Sequence, residues 1–321
     1  MQPIAISVIM ATYNRCALLP KALDSVLGSA VPESVQWEVV LVDNNSKDQT
    51  RQVADDYLSR HPNRLRYVRE TQQGLSAARN AGIRESRGEV IVFTDDDIEA
   101  EIDWLWKLAA PLMQGEWGGA GGKVVPVWTC TPPRWFPLEH PWGAIVSFDP
   151  GHGPGPLARP PLGANMAFRK EMFEKYGLFR TDLGRTGNNL LSNEDIEFGR
   201  RLMDGGERLR YEPGAVVHHP VPENRLRKDY ILSWWYNKAR SDMRDSGISD
   251  DTKWFVAGIP LHLFRRLAMG TLRWMVAVEP SKRFYRKACL WHSAGAFMEC
   301  YENSLTAAKK RSAAQASSSQ S

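Results

Sequence analysis

Cysteine is scarce in this sequence, and the residues that occur form no recognised pattern. The four cysteines, Cys16, Cys130, Cys289 and Cys300, include no CxxC pair and no spacing typical of a zinc site. We therefore expect no disulfide framework, and a reduced, cytoplasmic compartment follows as the default. The N-terminus lacks the basic start, apolar core and small-residue cleavage site of a signal peptide, so we expect no secretory signal.

Long uncharged apolar runs are also missing. The most membrane-like stretch, residues 254–278, has an uncharged run of only 11 residues, Trp254–Phe264, which contains Pro260 and is followed by three arginines. A spanning helix needs about 20 mostly apolar residues, and arginine is costly at its centre. The stretch instead predicts an amphipathic segment that lies in the plane of a membrane.

Charge is unevenly distributed along the chain. Residues 1–222 hold 24 basic and 28 acidic side chains, whereas residues 223–321 hold 17 basic and 9 acidic ones together with five tryptophans. This asymmetry predicts a basic, aromatic C-terminal module that faces an anionic partner, either a membrane or a nucleic acid.

Short apolar runs alternate with helix-like segments in the first 95 residues. This alternation predicts a parallel sheet with helices on both faces, in which ligands bind at the carboxyl ends of the strands. The predicted strands are 6–11, 37–43, 65–70 and 89–95, and the predicted helices are 18–27, 49–60 and 76–86. Polar residues follow three of these strands, at 12–15, 43–45 and 95–97.

Three adjacent aspartates, Asp95, Asp96 and Asp97, end the fourth predicted strand. Hard oxygen ligands at this position are suited to Mg²⁺ or Mn²⁺ that bridges a diphosphate. Acidic residues also favour the start of a helix, and the following IEAEIDWLWKLAAPL is helix-like. The run by itself leaves both interpretations open.

A proline-rich stretch interrupts this pattern at residues 126–161, which hold ten of the twenty prolines. A loop of this length predicts a lid or binding loop, with a disordered insertion as the alternative. Its aromatic content argues against full disorder, because aromatic side chains normally pack. These aromatic residues include Trp128, Trp135, Phe136 and Trp142.

Five segments occur in one order along the chain: SVIMATYNR, EVVLVDNNSKDQT, QGLSAARNAGIRESRGEVIVFTDDD, LGANMAFRKEMFEKYGLF and NEDIEFGRRLMDGG. Together they resemble glycosyltransferase family 2, over roughly residues 4–222. The resemblance implies the GT-A fold, a Rossmann-like, mostly parallel α/β sheet with helices on both faces, as a catalytic domain at 1–222. A helical C-terminal module at 223–310 and a disordered tail at 311–321 are predicted to follow.

The resemblance assigns roles on the donor side of the site. Thr12 and Tyr13 line the nucleotide pocket, Asp43 hydrogen-bonds the base or ribose, and Arg79 lies near the nucleotide and sugar. From the residues alone, Asp43 is equally a local turn cap, and Arg79 a helix-surface charge paired with a glutamate. Asn165, in LGANMAFRK, is the candidate for binding sugar hydroxyls.

The resemblance also identifies the aspartate run as a DxD motif that holds Mn²⁺ or Mg²⁺. Asp97 is the expected direct metal ligand, and Asp95 is a ligand that also lies near the ribose and sugar. Asp96 is the variable middle position, on the donor side. Histidine ligates Mn²⁺ well, and His219 is chosen over His218 to complete the metal shell, with the choice between the two open.

The ED pair at residues 194–195 is the candidate catalytic machinery. A sugar hydroxyl is a poor nucleophile until a positioned carboxylate removes its proton, and the resemblance gives that role to Asp195. Glu194 is the alternative base or an orienter of the acceptor. Helix-dipole stabilisation, with Asn193 as N-cap, explains the same acidity without chemistry.

These residues predict a metal-dependent, inverting glycosyltransferase in the cytoplasm, peripheral at the inner face of a bacterial plasma membrane. It would transfer a sugar from a nucleotide-diphospho-sugar, with UDP-sugars expected, to a glycan or lipid-linked acceptor in surface polysaccharide synthesis. An anionic membrane surface is expected to bind residues 254–300. The alternative for that module is packing on the catalytic domain or in a homodimer.

Three rival functions fit the sequence less well. A sugar nucleotidyltransferase needs a glycine-rich N-terminal loop, and ATYNRCALLPKAL lacks the glycines. A non-catalytic nucleotide-sugar-binding or scaffold protein of the same fold has no need of Asp95, Asp97 and Asp195. Nucleic-acid binding is not expected, because the basic half contains no recognised nucleic-acid motif.

Overall fold

The computed structural model describes residues 3–136, 146–187 and 189–318, with side chains described as far as residue 306. The chain divides into two compact units. The first comprises Met1–Thr131, Ile145–Gly187 and Glu194–Pro222, and the second comprises Pro132–Ala144, Asn188–Asn193 and Glu223–Ser321.

Strands and helices alternate through the first unit. In chain order they are β1 (Ile6–Thr12), α1 (Leu19–Leu27), β2 (Trp37–Asp43), α2 (Thr50–Arg60), β3 (Leu65–Arg69), α3 (Leu75–Glu85), β4 (Val90–Asp95), β5 (Glu99–Ala100), α4 (Trp104–Met113), β6 (Gly119–Trp128), β7 (Gly155–Pro156), β8 (Asn165–Arg169), α5 (Lys170–Tyr176), α6 (Glu194–Asp204) and β9 (Leu209–Val221). The four strands and three helices predicted for the first 95 residues are confirmed, with ends that differ by one residue. The α/β fold class is confirmed as well.

A single mixed sheet organises this unit, in the order β3-β2-β1-β4-β8-β6-β9-β5, with β7 paired to β9. The first four strands of that order are parallel, as predicted. Antiparallel β8 then joins β4, and antiparallel β5 closes the far edge on β9. In the C-terminal half of the sheet, β8 is antiparallel to both β4 and β6, whereas β6 and β9 pair in parallel. The sheet is therefore wholly parallel only over its first four strands.

Burial explains why the first strands are apolar along their whole length. All seven residues of β2 are buried, because helices cover both faces of the sheet at this point. Glycine is required where α3 crosses β1: a Cβ on Gly82 would lie 2.5 Å from the side chain of Ile9. The helices and strands predicted for this part of the chain thus pack into one continuous core.

The proline-rich stretch is partly integrated into that core. Phe148 is buried and pairs with Val124 of β6, and Leu157 is also buried. Full disorder of the stretch is therefore wrong for the described residues, and packing of its aromatic and apolar side chains is the reason. Trp142 lies outside the described residues.

The second unit is largely helical. Its elements are a short 3-10 helix (Glu223–Leu226), α7 (Lys228–Ser246), β10 (Phe255–Val256), β11 (Ile259–Pro260), α8 (Leu261–Met275) and α9 (Pro280–Ser318). The antiparallel hairpin β10–β11 was not predicted, since its two-residue strands are too short for any periodicity to register. Of the predicted tail, residues 311–318 belong to α9, and residues 319–321 lie outside the described residues.

Buried ion pairs hold α7 to α9 within this unit. The carboxylate of Glu299, whose side chain is 4 % exposed, accepts from Nε of Arg244 at 2.7 Å and from Nε of Arg240 at 2.8 Å. Burial raises the pKa of Glu299, but the two guanidinium groups outweigh it and lower the pKa overall. A carboxylate held in this way fixes the register of the two helices.

Asn193 does not have the geometry of the predicted N-cap. Its φ of 79° is left-handed, whereas N-cap residues are extended. Its side-chain amide donates to Oδ1 of Asp242 in α7 at 2.8 Å. Asn193 is therefore bound within the second unit. Glu194 and Asp195 still lie in the first turn of α6, where the helix dipole favours acidic side chains.

Among the described residues, we find no helix whose length and apolar character would suffice to cross a membrane.

Candidate active site

Three predicted residues meet where parallel strands end. Thr12 ends β1 and lies in register with Asp43, the last residue of β2. Asp95 ends β4, in register with Ala11 on the other side of β1. The sheet topology therefore brings together polar groups that are more than 80 residues apart in the chain, as expected for the carboxyl edge of a parallel sheet.

Asp95, Asp97 and His219 converge into one cluster at this edge. One ligand atom from each lies within 4.8 Å of the others. Nε2 of His219 is 3.5 Å from Oδ1 of Asp97 and 3.8 Å from Oδ2 of Asp95. The two distances from His219 are shorter than twice a metal–oxygen distance of ~2.1 Å. The three side chains therefore form a candidate site for a single ion.

The strand alternation in β9 distinguishes the two histidines. His219 is buried, and its Nδ1 lies 3.1 Å from the carbonyl oxygen of Pro220. A proton on Nδ1 that is donated to this carbonyl leaves Nε2 with a lone pair directed at the carboxylates. His218 points the other way, half-exposed, with Nε2 3.3 Å from Oε1 of Glu101.

The aspartate run does not cap a helix. Glu99–Ala100 form β5, and α4 begins only at Trp104, so the capping interpretation is wrong. Nη1 of Arg15 donates to Oδ2 of Asp97 at 2.8 Å and lies 4.0 Å from Oδ1 of Asp96. Burial raises the pKa of Asp96 to about 7, against the attraction of Arg15. The middle residue thus differs from its neighbours in environment.

Arg79 connects the aspartate run to the ED pair. Its Nη1 donates to Oε1 of Glu194 at 2.7 Å, and its Nη2 lies 3.5 Å from Oδ1 of Asp95. The guanidinium is buried, so the interpretation of Arg79 as a helix-surface charge is wrong. One cation therefore fixes the spacing between a cluster aspartate and the start of α6.

The two members of the ED pair occupy different environments. Burial, followed by repulsion from Asp195, raises the pKa of Glu194 to about 7, and Arg79 opposes the shift. Asp195 is half-buried, and its Oδ2 accepts from the backbone N–H of Gly163 at 2.6 Å. Glu194 is thus committed to an ion pair, while Asp195 is held by a neutral donor with part of its surface open.

Sequence reasoning missed the way in which Gly163 and Arg15 act on the candidate residues. Gly163 belongs to the LGANMAFRK segment, and a Cβ there would lie 2.4 Å from Nη2 of Arg79. The close approach is to the guanidinium. Arg15 belongs to the TYNR turn, and this position after β1 was the one sequence signal that it lies near the site. Nothing in the local sequence indicates which carboxylate it pairs with.

Two loops joined by hydrogen bonds form the part of the edge around Asp43. Oδ1 of Asp43 accepts from the N–H of Ser46 at 2.8 Å, as a turn cap would, and Oδ2 accepts from the hydroxyl of Tyr67 at 2.8 Å. Asn14 Oδ1 accepts from the N–H of Lys47 at 2.7 Å and joins the loop after β1 to the loop after β2. Thr12 is buried and Tyr13 half-buried beside this join.

Asn165 lies in the core, with no exposed surface. Its Oδ1 accepts from the indole N–H of Trp104 at 2.8 Å, and its Nδ2 donates to the carbonyl oxygens of Lys123 and Ala215. Both amide hydrogens are therefore used within the fold. This arrangement favours a structural role, in which Asn165 joins β8 to β6 and β9, over contact with a sugar ring.

A sheet of this kind, with carboxylates and a histidine at the strand ends, is typical of the GT-A fold. The structure of mannosyltransferase PcManGT from Pyrobaculum calidifontis, in complex with GDP-Man and Mn²⁺, has the same fold, with a TM-score of 0.55 and 21 % identity over 100 % of this chain and 82 % of that one.

A family model described as Glycosyl transferase family 2 matches residues 7–177. The chain belongs to this family and is a glycosyltransferase. It is 28 % identical over 266 residues to the glucosyl-dolichyl phosphate glucuronosyltransferase of Haloferax volcanii, covering 80 % of this chain and 83 % of that protein. It is 29 % identical over 229 residues to the succinoglycan biosynthesis protein ExoM of Rhizobium meliloti, covering 70 % and 68 %.

Gly163→Ala is expected to lower kcat/KM by about 10- to 100-fold, because the added methyl displaces the Arg79 guanidinium from Glu194 and a shift of ~1 Å in a site is costly. Gly153→Ala is the matched control, since a Cβ there meets nothing within 4 Å. Donor turnover and thermal unfolding are measured for both. Equal turnover in the two variants would show that Arg79 does not need this space.

Proposed function

We propose that this glycosyltransferase moves a sugar from a nucleotide-diphospho-sugar, with UDP-sugars as donors, to a glycan or lipid-linked acceptor, with inversion at the anomeric carbon. The observation that carries the proposal is the convergence of Asp95, Asp97 and His219 beside the Arg79–Glu194 pair and Asp195. A metal-binding cluster, a positioned cation and an open carboxylate are the groups that such a transfer requires.

The donor set of the cluster supports a divalent metal. Two carboxylates and one imidazole nitrogen suit Mn²⁺, while Mg²⁺ prefers oxygen ligands. Asp95, Asp97 and His219 would hold the ion. When bound, a metal supplies Lewis-acid neutralisation of the charge that develops on the departing nucleoside diphosphate.

The chain's own residues account for the proton. Oδ atoms of Asp195 accept the proton of the acceptor hydroxyl as its oxygen bonds to the anomeric carbon, and the bond from that carbon to the diphosphate oxygen breaks. The Gly163 N–H keeps Asp195 oriented. Arg79 keeps Glu194 and Asp95 at fixed separation, and Asp43, Thr12 and Tyr13 border the nucleotide side.

The acceptor and location are proposed from the relatives and from the second unit. The name of the Haloferax protein states a dolichyl phosphate-linked sugar, and that of the Rhizobium protein states succinoglycan biosynthesis. Both support a lipid-linked or polysaccharide acceptor at a cell surface. The basic, aromatic residues 254–300 support a peripheral position at the cytoplasmic face of the membrane.

Nucleoside diphosphate release tests this function. Purified protein is incubated with UDP-, GDP- and dTDP-sugars and Mn²⁺, and titration calorimetry follows nucleotide binding in parallel. Release from one UDP-sugar is expected, because slow transfer to water needs no acceptor. The absence of both nucleoside diphosphate release and Mn²⁺-dependent nucleotide binding for every donor would overturn the proposal. Release from GDP-sugars alone would instead correct the identity of the base.

A further inference from the structure

Exposed apolar side chains are concentrated in one short stretch of the second unit. Of the 17 exposed large apolar side chains among the described residues, nine lie within 254–278. We call this set the apolar surface: Trp254, Phe255, Val256, Leu261, Met269, Leu272, Met275, Val276 and Val278. A patch of this kind on a folded unit indicates an interaction site, since isolated exposed apolar residues are ordinary but clusters are not.

Helix α8 has two distinct faces. On the inner face, Leu263 is 1 % exposed, and a Cβ on Gly270 would lie 3.3 Å from Leu290 of α9. At about 100° per residue, Leu261, Leu272 and Val276 fall within roughly 60° of one another on the opposite side. The outer face of α8 therefore carries mainly apolar side chains, and they are exposed in the part of the chain that the structure describes.

The charged residues around the apolar surface indicate the kind of partner that it binds. Residues 254–278 contain no aspartate or glutamate, and Arg265, Arg266 and Arg273 of α8 are all exposed. Arg265 falls inside the outer apolar arc, and the other two lie at its margin, about 120–140° from Leu261. Apolar side chains flanked by arginines are suited to the acyl and headgroup layers of an anionic bilayer.

The other occupants fit less well. Pairing with a second copy would bring the same arginine-bearing face of each chain into one interface, where buried like charges are costly and charged residues are normally depleted. Packing as a transmembrane span is excluded by the length and composition of the helix.

We propose that the apolar surface inserts into the interface of a bilayer that contains anionic phospholipid, with α8 in the plane of the membrane and its arginines at the headgroups. The hairpin residues Trp254 and Phe255, 74 % and 48 % exposed, add an aromatic anchor at the interface. The proposal specifies the surface behind the peripheral location given above and does not depend on the chemistry of transfer.

Vesicle co-sedimentation of the full chain tests this proposal. Vesicles of phosphatidylcholine alone are compared with vesicles of equal parts phosphatidylcholine and phosphatidylglycerol. Leu272→Ser/Met275→Ser is expected to weaken partitioning to the anionic vesicles by about tenfold or more, because each of these side chains loses its burial in the acyl layer. The control, Met113→Ser/Ile248→Ser, alters two exposed apolar residues outside the surface and is expected to bind like wild type.

Arg266→Gln tests the electrostatic contribution to binding. We expect it to lower partitioning to anionic vesicles by about fivefold and to leave partitioning to neutral vesicles unchanged. Failure of the wild type to bind anionic vesicles, or unchanged binding by Leu272→Ser/Met275→Ser, would overturn the proposal. A dimer seen by sedimentation that the same double substitution dissociates would assign the surface to a second copy instead. Nucleoside diphosphate release without vesicles is measured in all variants and is expected to stay at the wild-type rate, so a failure of the transfer function is distinguished from a failure of docking.

Discussion

Asp195→Asn is expected to lower kcat by about 10²- to 10⁴-fold, the range contributed by a positioned general base. The amide has nearly the same shape, and its oxygen still accepts from the N–H of Gly163, whereas the hydrogen bond from the N–H of Ile196 to Oδ1 is lost. It cannot take up the proton of the acceptor hydroxyl. The measurement is kcat and KM for transfer at saturating donor, with donor KM expected to remain close to wild type.

The control for this substitution lies on the same helix. Asp204→Asn makes the identical chemical change at an exposed position near the end of α6 and is expected to keep wild-type turnover. Glu194→Gln tests the alternative base, and it is expected to disturb KM as well, because it weakens the pair with Arg79. Full activity of Asp195→Asn together with a collapse of kcat in Glu194→Gln would assign the base to Glu194.

The parallel half of the sheet could be predicted because its strands are buried on both faces. Each of these strands reads as an unbroken apolar run, and its polar successors mark the carboxyl edge. Asp43 and Asp95 were therefore placed correctly at strand ends from local pattern alone. Antiparallel β8 and the far edge could not be read in this way, since pairing between strands distant in sequence leaves no local signature.

Contacts inside the site were much less accessible to sequence reasoning. The Arg15–Asp97 bond joins residues 82 positions apart, and no periodicity encodes such a pair. Adjacent residues of a strand point to opposite faces, so the choice between His218 and His219 depends on which face of β9 meets the aspartate run. Only the sheet register answers that question.

Asn165 illustrates the opposite difficulty. A polar residue in a glycine-containing segment suggests ligand binding, but the same residue type also satisfies backbone carbonyls where strands diverge. Its partners come from β6, β9 and α4, which are assembled only in the folded sheet. A buried amide whose hydrogens are both donated within the fold contributes to stability, and sequence carries no sign of that pairing.

Asp97→Asn is expected to weaken Mn²⁺ binding by about 100-fold or more, since loss of even an outer hydrogen-bond partner of a metal ligand costs about 10- to 100-fold. Donor turnover at limiting Mn²⁺ is expected to fall in parallel, and chelation by EDTA is expected to abolish turnover in the wild type and to be reversed by added Mn²⁺. Calorimetry with Mn²⁺ and nucleoside diphosphate release are the two measurements.

Asp103→Asn is the matched control, because Asp103 pairs with Lys107 at the surface in an (i, i+4) arrangement that contributes little. It is expected to bind Mn²⁺ like wild type.

Asp97 also holds Arg15, so the two roles of its carboxylate need separating: Arg15→Gln removes the ion pair and keeps all three cluster ligands. If Arg15→Gln lost Mn²⁺ affinity as fully as Asp97→Asn, the aspartate would act through the ion pair. Retained affinity in Arg15→Gln, with loss in Asp97→Asn, would identify Asp97 as a ligand in its own right.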